Sequence, residues 1–293
     1  MSTTTSTLPA PATAPTRGYW AGTAHRFMRD PVALFALAVV LALFSMALFG
    51  PWLAPADPQQ ASMLSRLKPI GTEGHPLGTD ELGRDLLSRL IVGARLSLFM
   101  GITPVVLAFF IGSAIGILAG YAGGVTNTVI MRTIDVFYAF PSVLLAIALS
   151  GALGAGIGNA LLSLTIVFIP PIARVAESVT TQVRGRDYVE AARASGAGGF
   201  TIVRVHVLGN VLGPIFVYAT SLIAVSMILA SGLSFLGLGV KPPEPEWGLM
   251  LNTLRTAIYV QPWVAALPGV MIFITSIAFN LLSDSLRSAM DVK

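Results

Sequence analysis

Apolar residues in this chain come in long unbroken blocks. No Asp, Glu, Lys or Arg falls within 31–56, 96–131, 136–173, 205–240 or 256–283. A helix that crosses a bilayer needs about 20 mostly apolar residues, so every block is long enough for a span. The block 136–173 is long enough for two, with Gly151-Ala-Leu-Gly-Ala-Gly-Ile-Gly158 as the break. The pattern therefore predicts an all-α integral membrane protein with six transmembrane helices.

The polar intervals complete the layout. Residues 1–16 are nearly all Ser, Thr, Pro and Ala without an acid, too poor in apolar residues to order themselves, and 1–30 is read as a disordered tail. The span at 31–51 is read as a retained anchor, because its apolar run exceeds the 7–15 residue core of a signal peptide. Residues 52–93 form the longest polar region between spans. There Thr79 is expected to cap an amphipathic surface helix, with Leu82, Leu86, Leu87 and Leu90 as its apolar face. His75, Asp80, Glu81 and Asp85 lie nearby, but one His beside exposed acids reads as a solvated face rather than a metal site.

Residues 94–284 are expected to hold the five-helix core. Gly112, Gly116 and Gly120 recur every four residues, a stripe that lets helices pack closely, either within the subunit or against a partner. Tyr121 to Met131 reads as a loop. Arg132 and Asp135, three apart, are expected to pair with each other. Pro104 is expected to kink its span; Pro141 and Pro170-Pro171 are expected to interrupt theirs, as is tolerated where protein or a water-filled path covers the backbone. Lys241-Pro-Pro-Glu-Pro-Glu-Trp-Gly248 reads as a stiff turn, with Trp247 suited to the membrane interface. Residues 249–263 read as a re-entrant or surface helix, and 285–293 as a tail.

Composition supports this picture. Of 293 residues, 54% are hydrophobic and 11% charged, and mean hydropathy is +0.78; soluble domains carry about 25% charged residues. Cysteine is absent, which excludes disulfides, thiol nucleophiles and cysteine metal sites. The net charge of +4 is spread among loops, and no basic stripe with aromatics supports nucleic-acid binding. A Walker A loop needs Lys followed by Ser or Thr. Lys68 and Lys241 are each followed by Pro, and Lys293 ends the sequence. The three histidines lie in separate regions, so a Ser-His-acid triad has little support. No catalytic residue, metal or cofactor site is expected in this chain.

One polar interval, Arg174 to Asn210, stands apart. It reads as a helical hairpin exposed on one face of the membrane. Tyr188 to Ser195 contains good helix formers and no Pro or Gly, and Gly196 is a natural stop. Glu190 and Arg193 are spaced to pair. Ala191, Ala192 and Ala194 keep the helix slim enough for a partner's backbone to approach, while Arg184 and Arg186 offer it charge.

This stretch resembles the EAA loop of ABC-importer permeases: Glu-Ala-Ala, three residues, Gly, nine residues, Ile-x-Leu-Pro. Glu190, Ala191, Ala192, Gly196 and Leu208 match in register, with the loop set at 174–213. His206 replaces Ile, and Gly209 replaces Pro, which is expected to loosen the loop's exit. Three further stretches, His75–Leu98, Asp135–Leu145, and Ser231–Gly239 with Trp247-Gly248, are similar to the C-type permeases of dipeptide, oligopeptide and nickel importers. So is the tail with Asp284, Arg287 and Asp291.

The resemblance implies a type I ABC-importer permease fold in the bacterial inner membrane. It implies a homologous B-type permease as partner, two ABC ATPases that bind ATP and Mg, an extracytoplasmic substrate-binding protein, and surrounding lipid. Tyr188, Glu190, Ala191, Ala192, Arg193, Gly196, His206 and Leu208 would form the ATPase-coupling surface. Gly112, Gly116, Gly120, Arg132, Asp135 and Pro141 would serve assembly. Asn159, Ser163, Ser221 and Ser226 are polar candidates for the pore. An even number of spans puts both termini and the loop on one side, and the basic residues of the short loops and tails make that side cytoplasmic. Peptide is the expected cargo; nickel chelates, opines, glutathione or oligosaccharides would suit the same fold. An ion-coupled secondary transporter would instead need paired intramembrane charges and an internal repeat. A membrane enzyme would need clustered nucleophiles or metal ligands.

Overall fold

The computed structural model describes residues 19–290; the expected tail residues 1–18, and Asp291 and Lys293, lie outside them. Among the described residues the regular structure is helical, and five helices are long and apolar enough to cross a membrane. They are α2 (Pro31–Leu53), α3 (Leu86–Ala122), α6 (Ile157–Arg184), α9 (Leu208–Phe235, continuous with the turns before it) and α11 (Pro262–Met290). A sixth span exists if α4 (Gly124–Tyr138) and α5 (Ser142–Leu153) count as one, bent by 85°. The bend falls at Pro141, since a residue before proline is pushed out of the helical region. Tyr121 to Met131 is thus mostly helix rather than loop. Glycines at 123 and 124 break the chain only briefly, and α4 restarts at once.

Residues 19–30 are not a disordered tail either. The short helix α1 (Tyr19–Phe27) docks on the end of α11, where Arg26 Nε donates to the carbonyl of Ala289 at 2.7 Å. A cation there meets carbonyls that the last helical turn leaves unpaired. Both ends of the described chain therefore meet at one face. The same face holds the start of α9, since a Cβ on Gly213 would lie 2.7 Å from Met290 Cε.

The core lies where α3, α6 and α9 cross. The glycine stripe is what makes this possible, and it works within the subunit. A Cβ on Gly116 would sit 2.3 Å from the carbonyl oxygen of Ala173, and one on Gly120 would sit 2.7 Å from that of Glu177. One on Gly112 would sit 3.0 Å from that of Ile169. Three successive turns of α3 thus rest on the backbone of α6. Pro170 and Pro171 do not interrupt α6, which runs through them to Arg184. Packing on both sides holds the helix where propensity alone would break it.

At the opposite face, residues 54–85 fold into a compact knot instead of an amphipathic helix. The helix starts at Leu86, capped by Asp85, whose Oδ2 accepts from Ser88 N at 2.8 Å and from Ser88 Oγ at 2.6 Å. Thr79 is not the cap; its hydroxyl accepts from Lys68 N at 2.8 Å. The acids do not form a solvated face. Asp80 is 2% exposed and accepts from Arg84 Nε at 2.6 Å and from the backbone N–H groups of Leu82 and Arg84. Arg89 Nε lies 3.4 Å from the same carboxylate, and its Nη1 donates to the carbonyl of Pro58 at 2.9 Å. His75 Nδ1 lies 3.0 Å from Asp85 Oδ1. The side chains expected to face water are turned inward, tying the chain that leaves α2 onto the start of α3.

The knot also grips the segment before α10 (Trp247–Thr253). Trp247 is fully buried rather than interfacial. Its indole N–H donates to the carbonyl of Leu90 and its backbone N–H to Ser97 Oγ, each at 3.0 Å. Gly93 allows this approach, because a Cβ there would stand 2.9 Å from the carbonyl oxygen of Pro245. Glu246, 1% exposed, caps α10 by accepting from Gly248 N and Leu249 N at 2.8 Å.

Candidate functional site

The Arg174–Asn210 interval projects from the face where α1 and α11 meet. Its centre is α7 (Asp187–Ala194), which ends where expected. Gly196 adopts φ +84°. Its N–H donates to the carbonyl of Arg193 at 3.0 Å, and the N–H of Ala197 donates to that of Ala192 at 3.1 Å. That pair of bonds is the glycine-dependent stop that satisfies a helix's last carbonyls. A four-residue turn, α8 (Gly199–Ile202), and a π-turn over Val203–Val207 lead straight into α9. Gly209 lies inside this helical run, so the exit is a continuous helix.

The hairpin has a clear inside and outside. Val189, Ile202 and Val207 are buried, and Ala192 and Leu208 are half-buried against the core. Tyr188, Glu190, Ala191, Arg193 and Gly196 are exposed. The Tyr188 and His206 rings are 6.3 Å apart, which sets Tyr188 against the root of α9. Glu190 and Arg193, though spaced to pair, form no ion pair with each other among the described residues. Phe200, 80% exposed, adds an aromatic at the same protruding surface. Sequence reasoning missed it; the only signal was an aromatic directly after two glycines. Arg184 does not offer its charge outward. Its Nη1 donates to the carbonyls of Gly120 and Tyr121 at 3.2 Å, closing the end of α3. Arg186 remains exposed.

A second group lies deeper. Asp135 on α4 pairs with Arg174 on α6, not with Arg132, because α4 packs that side against α6 and leaves Arg132 exposed. The pair is itself 37% and 45% exposed. The Arg174 guanidinium lies 5.0 Å from the centre of the Tyr138 ring. Tyr138 in turn lines a cavity of about 320 Å³ between α5, α6 and α9. None of the four polar pore candidates lines it. Asn159 closes the α5–α6 turn by donating to the carbonyls of Leu153 and Gly154 at 2.8 and 3.0 Å. Ser163 and Ser221 donate to carbonyls of their own helices at 2.7 Å. Ser226 is fully buried.

The geometry is that of a helical membrane core with one protruding helix. Comparison with known proteins gives the family. Residues 112–293 match the model of the binding-protein-dependent transport system inner membrane component, and residues 18–69 match the N-terminal transmembrane domain of oligopeptide transport permease C. The chain belongs to this family of ABC-importer permeases, in its oligopeptide-permease-C-like branch. It is 42% identical over 279 residues to a glutathione transport system permease protein of Pectobacterium atrosepticum, covering 95% of this chain and 91% of that one. It is equally 42% identical over 284 residues to a di/tripeptide transport system permease protein of Pseudomonas aeruginosa, covering 95% and 92%. Among solved structures, a chain of an inward-facing methionine ABC transporter superposes with a TM-score of 0.56 at 20% identity, over 68% of this chain and 95% of that one. That likeness concerns the fold.

Proposed function

We propose that this permease carries small peptides inward across the bacterial inner membrane, as one half of a pore whose other half is a homologous B-type subunit. A substrate-binding protein delivers cargo at the face of the knot. Two ATPases bind ATP and Mg at the opposite, cytoplasmic face, where both termini lie. Their closure pushes on α7, and the spans alternate between outward-open and inward-open arrangements. Tyr188, Glu190, Ala191, Arg193 and Gly196 seat in a groove of one ATPase, with Phe200 beside them. His206 and Leu208 pass the motion into α9 through the π-turn.

The observation that carries this reading is the exposure of the motif residues on a helix whose other side is sealed into the core. A solvated loop helix would need no such rigid root. The small-peptide cargo rests on the two relatives, named for glutathione, itself a tripeptide, and for di- and tripeptides. Glu190→Lys tests the coupling role in proteoliposomes holding the complete importer. Uptake is expected to fall more than about tenfold, the scale of losing an interface hot spot of about 2 kcal/mol. Insertion and thermal stability of the permease should stay unchanged. Normal uptake by the inserted variant would remove the coupling surface from the mechanism.

A further inference from the structure

The cavity between α5, α6 and α9 is built from unusual parts. Its walls include Phe137, Tyr138, Phe140, Phe168 and Tyr218, together with Pro170 and Pro171. The two prolines have no N–H, so the carbonyls of Ile166 and Val167 lack their ordinary helical donors. Val167 itself lines the cavity. These positions are nine to fourteen residues into α6, about 14–21 Å from its start at 1.5 Å per residue. That is near the middle of a bilayer whose core is about 30 Å thick. Backbone acceptors without donors are tolerated at such depth only where a neighbouring group or a water-filled path serves them. An apolar packing defect would not supply a donor. A peptide's ammonium or amide N–H would.

The charges beside the cavity point the same way. Arg174 and Asp135 join α6 to α4 at the edge of the aromatic wall, connected to it through Tyr138. The pair is open enough to be reached, at 37% and 45% exposure. A ligand that carries both an ammonium and a carboxylate can replace each partner in turn. The guanidinium fork suits a carboxylate, and aromatic faces suit an ammonium. A cavity of about 320 Å³ is at the small end of ligand pockets, which fits a short peptide and not a long one.

We propose that this cavity and the Asp135–Arg174 pair form the transit site for a small zwitterionic peptide, with the peptide ammonium taken by Asp135 and the freed carbonyls, and its carboxylate by Arg174. The proposal rests on the peptide-importer reading and deepens it. It predicts that specificity for free termini is set inside the membrane as well as at delivery.

The test uses the complete importer with Val225→Cys in this permease, a unique thiol in the chain because it contains no cysteine. Val225 lines the cavity. Dialanine is expected to slow labelling of that thiol several-fold, while N-acetyl-dialanine amide, which lacks both charges, leaves it unchanged. Adding Asp135→Asn should abolish the protection and lower dialanine uptake about tenfold, with ATP hydrolysis retained. Equal labelling with and without dialanine would reject the site. So would full uptake by the charge-reversed variant Asp135→Arg with Arg174→Asp, because a mere staple between α4 and α6 survives reversal. Dialanine uptake by the unmodified importer separates the two levels. Where it is present, unchanged labelling rejects the site alone; where both dialanine and glutathione uptake are absent, the peptide-importer reading fails and the site falls with it.

Discussion

The knot at 54–89 and the hairpin at 184–208 are both polar interruptions between apolar spans, yet they use polarity in opposite directions. In the knot, Asp80, Arg84, Asp85 and Arg89 are at most 5% exposed and spend their hydrogen bonds on each other and on backbone. In the hairpin, Glu190 and Arg193 point outward and form no ion pair among the described residues, while Arg184 anchors the root. Charge density is therefore a poor guide to function in this molecule. What separates the two regions is whether each charge has an internal partner. The knot is a clamp that fixes where α3 and α10 begin. The hairpin is a rooted handle whose outer charges are left without an ion pair among the described residues.

The largest effect that would sharpen this contrast is loss of Asp80. Asp80→Ala leaves the Arg84 and Arg89 guanidiniums buried without their carboxylate, a type of change that costs about 3–5 kcal/mol. Thermal unfolding of the purified importer in detergent should show a large loss, with uptake falling in proportion to folded protein. The equivalent deletion in the hairpin, Glu190→Ala, should leave the melting temperature in place. If both variants melt alike, the division into clamp and handle is wrong.

Much of this was legible beforehand for physical reasons. Spans announce themselves because lipid tolerates so few charges, so the blocks around α2, α3, α6, α9 and α11 were visible as blocks. The hairpin was legible because its helix stop needs Gly196 and its motif has fixed spacing. The knot was not. Thr79 and the leucines at 82, 86, 87 and 90 satisfy a helical period, but Gly83 sits where a Cβ would fall 1.8 Å from the Ser62 carbonyl oxygen. A contact with a loop segment about twenty residues away decided the local fold. Asp135 was expected to take its nearest neighbour in sequence; the bend at Pro141 and the packing of α4 on α6 gave it Arg174 instead. The cavity was hidden for a related reason, since its makers are aromatics and prolines from three helices and not the polar residues that a pore search favours.

A smaller effect is expected at the hairpin's stop. Gly196 holds φ +84° with nothing within 4 Å of a built Cβ, so Gly196→Ala meets no clash and is penalised only by backbone conformation. That costs about 1–2 kcal/mol for an L-residue. Because α7 gives the core only Val189 and part of Ala192, the loss should stay local. Hydrogen exchange at residues 187–202 should speed up, uptake should fall partially, and the melting temperature should hardly move. Global destabilisation would mean that the handle is built into the clamp.

The smallest effect concerns a charge that belongs to neither pattern cleanly. Glu246 caps α10 as an acid 1% exposed, with backbone donors, the Ser97 hydroxyl at 3.4 Å, and no ion pair among the described residues. Burial pushes its carboxyl above the ordinary carboxylate range, partly offset by the N–H groups of Gly248 and Leu249. The sign follows from linkage. A carboxyl raised in the folded state binds its proton more tightly there than in the unfolded chain. Its relative stabilisation is present below the ordinary carboxylate value and is lost as pH rises through the raised value. Glu246→Gln keeps an acceptor for the cap and cannot ionise. The stability difference between wild type and this variant should therefore shift in favour of Gln as pH rises through that window, by less than about 1 kcal/mol if the cap bonds hold. Thermal melts of both proteins from acidic to neutral pH would show it. A pH-independent difference would mean that the carboxyl stays in one protonation state throughout.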